Sequence, residues 1–177
     1  MEALIRQCTG DHPARIKTVI SPVGDSPGLQ TARTLGVKTE VVPYEPDSDY
    51  SARLLGALEG VEWLCLAGYL RLLPVPVLQH FGPRVLNIHP ALLPKFGGRG
   101  MYGLHVHGAV LQAGETESGC TVHYVSEKYD EGAILLQERV PVLPDDSPET
   151  LAQRVLKAEH HTYARALEIA IRRAEKC

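Results

Sequence analysis

Short apolar runs separated by stretches of helical spacing constrain this fold more than any other feature of the chain. Residues 16–20, 39–42, 61–67 and 85–88 have the length and apolar content of buried strands, with helical patterns between them. Such alternation implies an α/β fold with a mostly parallel, Rossmann-like sheet and helices on both faces, because parallel neighbours need a crossover that returns over the sheet. Ser26-Pro27 opens one crossover helix and Gly36 closes it; residues 50–58 supply a second and Val75–Phe81 a third. Later in the chain, 105–113 reads as helix and 121–125 and 133–142 as strands. Ser147-Pro148-Glu149 then starts a long helix with an N-cap, a proline in its first turn and an early acid. The opening is unusual: residues 2–8 already read as helix, with no strand ahead of them.

A chain of 177 residues suits one domain over 1–177, with about 70% of its unfolded surface buried. Net charge is −3 with scattered basic residues, which argues against nucleic acid or an anionic membrane as partner. Cys8, Cys65, Cys120 and Cys177 lack metal or redox spacing and suit reduced thiols in a cytoplasmic protein. No stretch approaches the roughly 18 apolar residues of a membrane span.

The candidate chemistry begins where Pro90 stops the run 85–88, since proline cannot continue a strand ladder. Asn87 and His89 are two apart and so project to one side of an extended chain, at the carboxyl end where open α/β sheets bind ligands. Residues 91–103 follow, with Pro94, Gly97, Gly98, Gly100 and Gly103 and no period, and read as a binding loop that is mobile without ligand. His105, His107 and His123 lie downstream; His105 and His107 point to different helix faces and no metal is expected. Residues 125–132 contain Asp130 and Glu131 before Gly132, the composition of an ordinary hairpin turn. Glu159 lies beside apolar positions of the last helix.

Asn-x-His-Pro at 87–90, Gly-Cys-Thr-Val-His at 119–123, Asp130-x-Gly132 and Ala158-Glu159-His160 occur in that order. With Leu66-Ala67-Gly68-Tyr69-Leu70-Arg71-Leu72-Leu73 and Met101-Tyr102-Gly103-Leu104-His105-Val106-His107, they make the chain resemble the phosphoribosylglycinamide formyltransferases. The resemblance implies a three-layer formyltransferase-type fold with antiparallel C-terminal strands. It also implies transfer of a formyl group from 10-formyltetrahydrofolate to glycinamide ribonucleotide without a metal. By the same resemblance Asn87, His89 and Asp130 are catalytic. Leu70, Arg71, Leu73, Asn87, Tyr129 and Asp130 line the folate site, Glu159 and His89 meet the acceptor, and His105, His107 and His123 support them. In that chemistry Asn87 donates to the oxyanion, a protonated His89 donates as well, and Asp130 favours the imidazolium.

The chain departs from that family at its start, where members carry a strand and a glycine-serine-asparagine turn that cradles phosphate. Without that strand, 16–20 and 61–67 are expected to face each other across a gap. Three alternatives remain open: another folate-dependent formyltransferase such as the methionyl-tRNA enzyme, a formyl-folate hydrolase, or a folate-binding protein without catalysis. The expected assembly is a monomer or homodimer.

Overall fold

Residues 1–45 and 48–176, described by the computed structural model, run α1 (Glu2–Gln7), β1 (Thr18–Ser21), α2 (Pro27–Thr34), β2 (Lys38–Val41), α3 (Ser48–Ala57) and β3 (Leu64–Leu66). They continue as α4 (Val75–Phe81), β4 (Val85–His89), α5 (Leu104–Gln112), β5 (Glu117–Tyr124), β6 (Ile134–Pro141) and α6 (Pro148–Ala174). Cys177 lies outside the described residues. The Ser26 hydroxyl caps α2 with Pro27 in its first turn, and Ser147 and Thr150 cap α6 reciprocally, so both helices start where their side chains satisfy the first free N–H groups.

The strands form two sheets. β1 and β2 pair in parallel, and a second sheet has the order β3-β4-β5-β6, parallel between β3 and β4 and antiparallel across the other two pairs. The strands are thus parallel through β4 and antiparallel in the C-terminal β5–β6 hairpin, the α/β arrangement with antiparallel C-terminal strands expected from the sequence. β3 is shorter than the 61–67 run, and β5 starts four residues before 121, at Glu117, since Ser118 and Gly119 are buried in the ladder. β1 and β3 do not pair. A cleft of about 860 Å³ separates them, where the sequence leads one to expect a gap.

Helices cover both faces. Val85 joins Tyr50, Leu54, Val77 and Phe81 in a core under α3 and α4, whereas its neighbour Leu86 joins Leu4, Val122, Tyr163 and Leu167 in a core under α1 and α6. That one-residue alternation is the pleat of a strand buried on both sides. It sends Asn87 and His89 out on the Val85 side, together, as their spacing requires. The hydroxyl of Tyr163 on α6 lies 2.8 Å from the Leu66 carbonyl of β3 and 2.9 Å from the Leu86 carbonyl of β4. It thereby ties the last helix to both central parallel strands.

Candidate active site

The carboxyl end of β4 supplies two of the site's side chains and its neighbour β5 supplies a third. In the antiparallel register Asn87 stands opposite His123, and directly opposed side chains in such a pair are close enough to touch. Asn87 Nδ2 lies 3.1 Å from His123 Nε2, and His123 Nδ1 lies 2.9 Å from the Tyr124 carbonyl. The carbonyl oxygen can only accept, so Nδ1 carries the proton and Nε2 accepts from the Asn87 amide. The second amide hydrogen of Asn87 has no protein acceptor among the described residues.

Asp130 comes from the connection between β5 and β6 and reaches both imidazoles. Its Oδ2 is 3.4 Å from His89 Nδ1 and its Oδ1 is 3.6 Å from His123 Nε2, and the Gly98 N–H donates to Oδ2 at 2.9 Å. Asp130 holds φ 57°, a left-handed conformation that aspartate tolerates better than most residues. Gly132 fixes this connection from the other side, because a Cβ there would overlap the Tyr124 carbonyl. The hairpin connection and the carboxylate that faces both imidazoles are therefore the same segment.

His89 and His123 are almost wholly buried, at 4% and 2% exposure. Burial holds the His89 pKa below the ordinary histidine value, outweighing the pull of Asp130 and of the Phe96 carbonyl in the other direction. The resting imidazolium expected from sequence is corrected accordingly: the protein matrix favours the neutral ring. His89 Nε2 lies 2.8 Å from the Phe96 carbonyl and Nδ1 faces Asp130, so both nitrogens meet oxygen acceptors whenever the ring gains a second proton. Burial pushes the Asp130 carboxyl up, yet the His123 ring, the Gly98 N–H and the His89 ring together bring it below the usual carboxylate value. At rest the site therefore favours an ionised Asp130 beside a neutral His89 ring.

The loop after β4 is anchored along its first half. The buried Thr121 hydroxyl donates to the Ala91 carbonyl at 2.6 Å and accepts from the Leu93 N–H at 3.1 Å. Gln137 Nε2 bonds both the Leu93 carbonyl and the Thr121 hydroxyl. Phe96, at φ 56°, turns its carbonyl to His89, and Gly98 binds Asp130. These contacts fall in the first half of 91–103: its apolar Ala91 and Leu93 are buried, and the segment positions His89 and Asp130.

The remaining sequence candidates distribute unevenly. His107 is buried, with its Nδ1 lacking a partner among the described residues, and burial followed by the nearby His89 lowers its pKa. His105 is exposed and stacks edgewise on Tyr102 at 5.7 Å, outside the carboxylate cluster. Leu70 is 59% exposed, whereas Leu73 is 5% exposed and belongs to the core under α4. Arg71 lies 4.4 Å above the Tyr44 ring. Tyr129 is half-buried beside Asp130. Glu159 lines a separate small cavity of about 140 Å³ with Gly68, Ile88 and Tyr163, and burial raises its pKa. Sequence reasoning underrates His123, a lone histidine in an apolar strand, and overlooks Thr121, Gln137 and Gly98. Only the β4–β5 register and the returning hairpin reveal them.

Comparison with known proteins agrees with this geometry. A family model described as "Formyl transferase" matches residues 1–167. The chain is 49% identical over 145 residues to a chloroplastic phosphoribosylglycinamide formyltransferase of Arabidopsis thaliana, covering 78% of this chain and 50% of that protein. It is 36% identical over 170 residues to the phosphoribosylglycinamide formyltransferase of Haemophilus influenzae, covering 92% of this chain and 77% of the relative. The crystal structure of the enzyme of that name from Brucella melitensis superposes with a TM-score of 0.87 at 44% identity, covering 96% of this chain and 88% of the other. The chain spans about half the length of the plant relative. On fold, site and likeness together, the chain belongs to the formyl transferase family.

Proposed function

We propose that the protein transfers a formyl group from 10-formyltetrahydrofolate to the primary amine of glycinamide ribonucleotide, a step of purine biosynthesis. The observation that carries the reading is the Asp130 carboxylate held between two buried imidazoles beside an asparagine with an uncommitted amide hydrogen. Amine attack on a formyl carbon develops negative charge on oxygen, releases a proton from the attacking nitrogen and requires one at the departing folate nitrogen. Asn87 donates its free amide hydrogen to the developing oxyanion. His89, neutral at rest, accepts the proton from the amine, and Asp130 stabilises the resulting imidazolium until the proton passes to the leaving nitrogen. A base whose pKa is held low is readily available at neutral pH. His123 fixes the Asn87 amide through a tautomer set by the Tyr124 carbonyl.

The exposed Leu70, with Arg71 and the backbone at Leu73 and Tyr129, is assigned to the folate, and Glu159 to the polar end of the acceptor. Assay of the purified 177-residue chain with 10-formyltetrahydrofolate tests the reading, following released tetrahydrofolate and the mass of the formylated nucleotide with and without glycinamide ribonucleotide. Formylated product only when the amine is present is the expected result. Free formate at the same rate in both samples would instead make the protein a hydrolase, and folate binding without turnover would make it a binding protein.

A further inference from the structure

The β5–β6 hairpin grips the loop after β4 at two points. Gln137 on β6 holds it at Leu93, and Asp130 in the hairpin connection holds it at Gly98. Gln137 meets the loop with its amide nitrogen: Nε2 lies 3.0 Å from the Leu93 carbonyl and 2.9 Å from the Thr121 hydroxyl. The carbonyl can only accept, and the single hydroxyl proton of Thr121 goes to the Ala91 carbonyl, so both amide hydrogens of Gln137 are committed. Between the two grips the backbone is wedged. A Cβ on Gly97 would lie 2.6 Å from Leu93 Cδ2 and 3.2 Å from Asp130 Cβ, so the place of Leu93 is felt directly at the carboxylate.

Phe96 sits on this tethered stretch and decides which nitrogen of His89 is bare. A neutral imidazole has one proton for two acceptors: the Phe96 carbonyl, 2.8 Å from Nε2, and the Asp130 carboxylate, 3.4 Å from Nδ1. The other titratable groups that act on the ring are His123 on β5 and His107 on α5. The shorter contact keeps the proton on Nε2 and leaves the lone pair on Nδ1, beside the carboxylate that stabilises a second proton. Were the carbonyl to withdraw, the carboxylate would draw the proton to Nδ1. The basic lone pair would then lie on the opposite edge of the ring, away from Asp130.

We infer that Gln137 is a positioning residue for the reaction: through Leu93 it holds the Phe96 carbonyl on His89, and so keeps the lone pair of the resting ring on Nδ1 beside Asp130. Gln137 acts through the loop, and the inference rests on the base role assigned to His89 above. A carboxamide suits the place because both of its partners need a donor. A glutamate of the same shape would set an acceptor against the Leu93 carbonyl and against a hydroxyl whose proton is already given away.

The test compares the parent chain with Gln137→Met, which keeps the length of the side chain and removes both donors. Nitrogen-15 shifts of the His89 ring, read at a pH where it is neutral, tell a protonated from a bare nitrogen, and amide exchange at Gly98 reports the second grip. Arg154→Met, which breaks the Asp146 pair at the start of α6, controls for lost stability alone. The parent and Arg154→Met are expected to carry the proton on Nε2, and Gln137→Met to shift it toward Nδ1. In Gln137→Met the Gly98 amide should exchange about tenfold faster or more, and kcat should fall by about tenfold to a hundredfold with the KM for folate nearly unchanged. If Gln137→Met does not fold, Gln137→Asn, one methylene too short to reach both acceptors, takes its place. A parent ring protonated on Nδ1, an unmoved ring in the folded Gln137 variant, or the same ring change in Arg154→Met would overturn the inference. Ring and amide are read without substrate, so a wrong assignment of the reaction shows as a parent chain that makes no formylated product, and a wrong inference as an unmoved ring.

Discussion

Asp130→Asn removes the charge that faces His89 while keeping the shape of the side chain. The asparagine Oδ1 can still accept the Gly98 N–H, so the loop stays anchored and the change reports on charge rather than on fold. His89 and Asp130 are both nearly dry, with side-chain exposures of 5% and 12% and an N···O distance of 3.4 Å. Opposite unit charges about 4 Å apart attract by about 4 kcal/mol at an effective dielectric of 20. Most of that attraction exists only while His89 carries the transferred proton, so about 3–4 kcal/mol is lost from the transition state and little from the ground state. At 1.36 kcal/mol per decade, turnover should fall by about 10²–10³ with the KM for folate nearly unchanged. Without the carboxylate the His89 pKa should move further down, carrying the acid limb of the pH–rate profile to lower pH. NMR titration of the His89 ring in both proteins, paired with kcat against pH, reads the two effects separately. An identical His89 titration in the variant, or turnover within about threefold of the parent, would refute the coupling.

Asn87→Ala should retain the fold and folate affinity while losing about 10²–10³ in turnover, the usual effect of deleting one oxyanion donor; near-full activity in steady-state kinetics would remove Asn87 from the reaction. His89 and His107 are both held neutral by burial, whereas their unfolded counterparts take up protons near pH 6.5. Stability should therefore be fully present above about pH 7 and decline as pH falls below that value, by up to about 1.4 kcal/mol per pH unit for each ring. The depressed Asp130 adds its own loss only below about pH 4. Urea unfolding at pH 7, 6 and 5 checks the slope, which should shrink in His107→Asn and would be flat if neither ring were buried neutral. Thr121→Val keeps volume but strands the Leu93 N–H and the Ala91 carbonyl, a cost of about 2–6 kcal/mol at ~1–3 kcal/mol per buried group; a melting temperature unchanged in calorimetry would show that the loop needs no such anchor.

The sequence exposes those parts of the molecule whose physics is local. Ser26-Pro27 and Ser147-Pro148 mark helix starts because capping acts within four residues, and Pro90 marks the end of β4 because it forbids the next ladder bond. The pair Asn87 and His89 is visible because a strand's period is two. Parts that depend on pairing are hidden. Nothing near His123 in sequence shows that it opposes Asn87, and Ser118-Gly119 resembles a loop until β6 covers it. The direction of the His89 pKa also escapes sequence, since a neighbouring carboxylate can be guessed while the depth of burial that outweighs it cannot. Thr121 is the clearest case: a threonine in a strand is unremarkable until its hydroxyl is found holding a loop thirty residues upstream.

The hydroxyl of Tyr163 acts as a gauge between the last helix and the two central parallel strands. It fixes the rotation and height of α6 against β3 and β4 by two carbonyls, 2.8 and 2.9 Å away. Glu159 sits one helical turn earlier on α6, and Asn87 follows Leu86 directly on β4. The spacing from Glu159 to Asn87 is thereby held by one turn of helix, one tyrosine ring and one peptide unit, none of which can stretch. If the proposed assignment of Glu159 to the acceptor's polar end holds, the acceptor must present its amine at a set reach, and length discrimination among amines would lie in the scaffold rather than in any group that touches the formyl carbon.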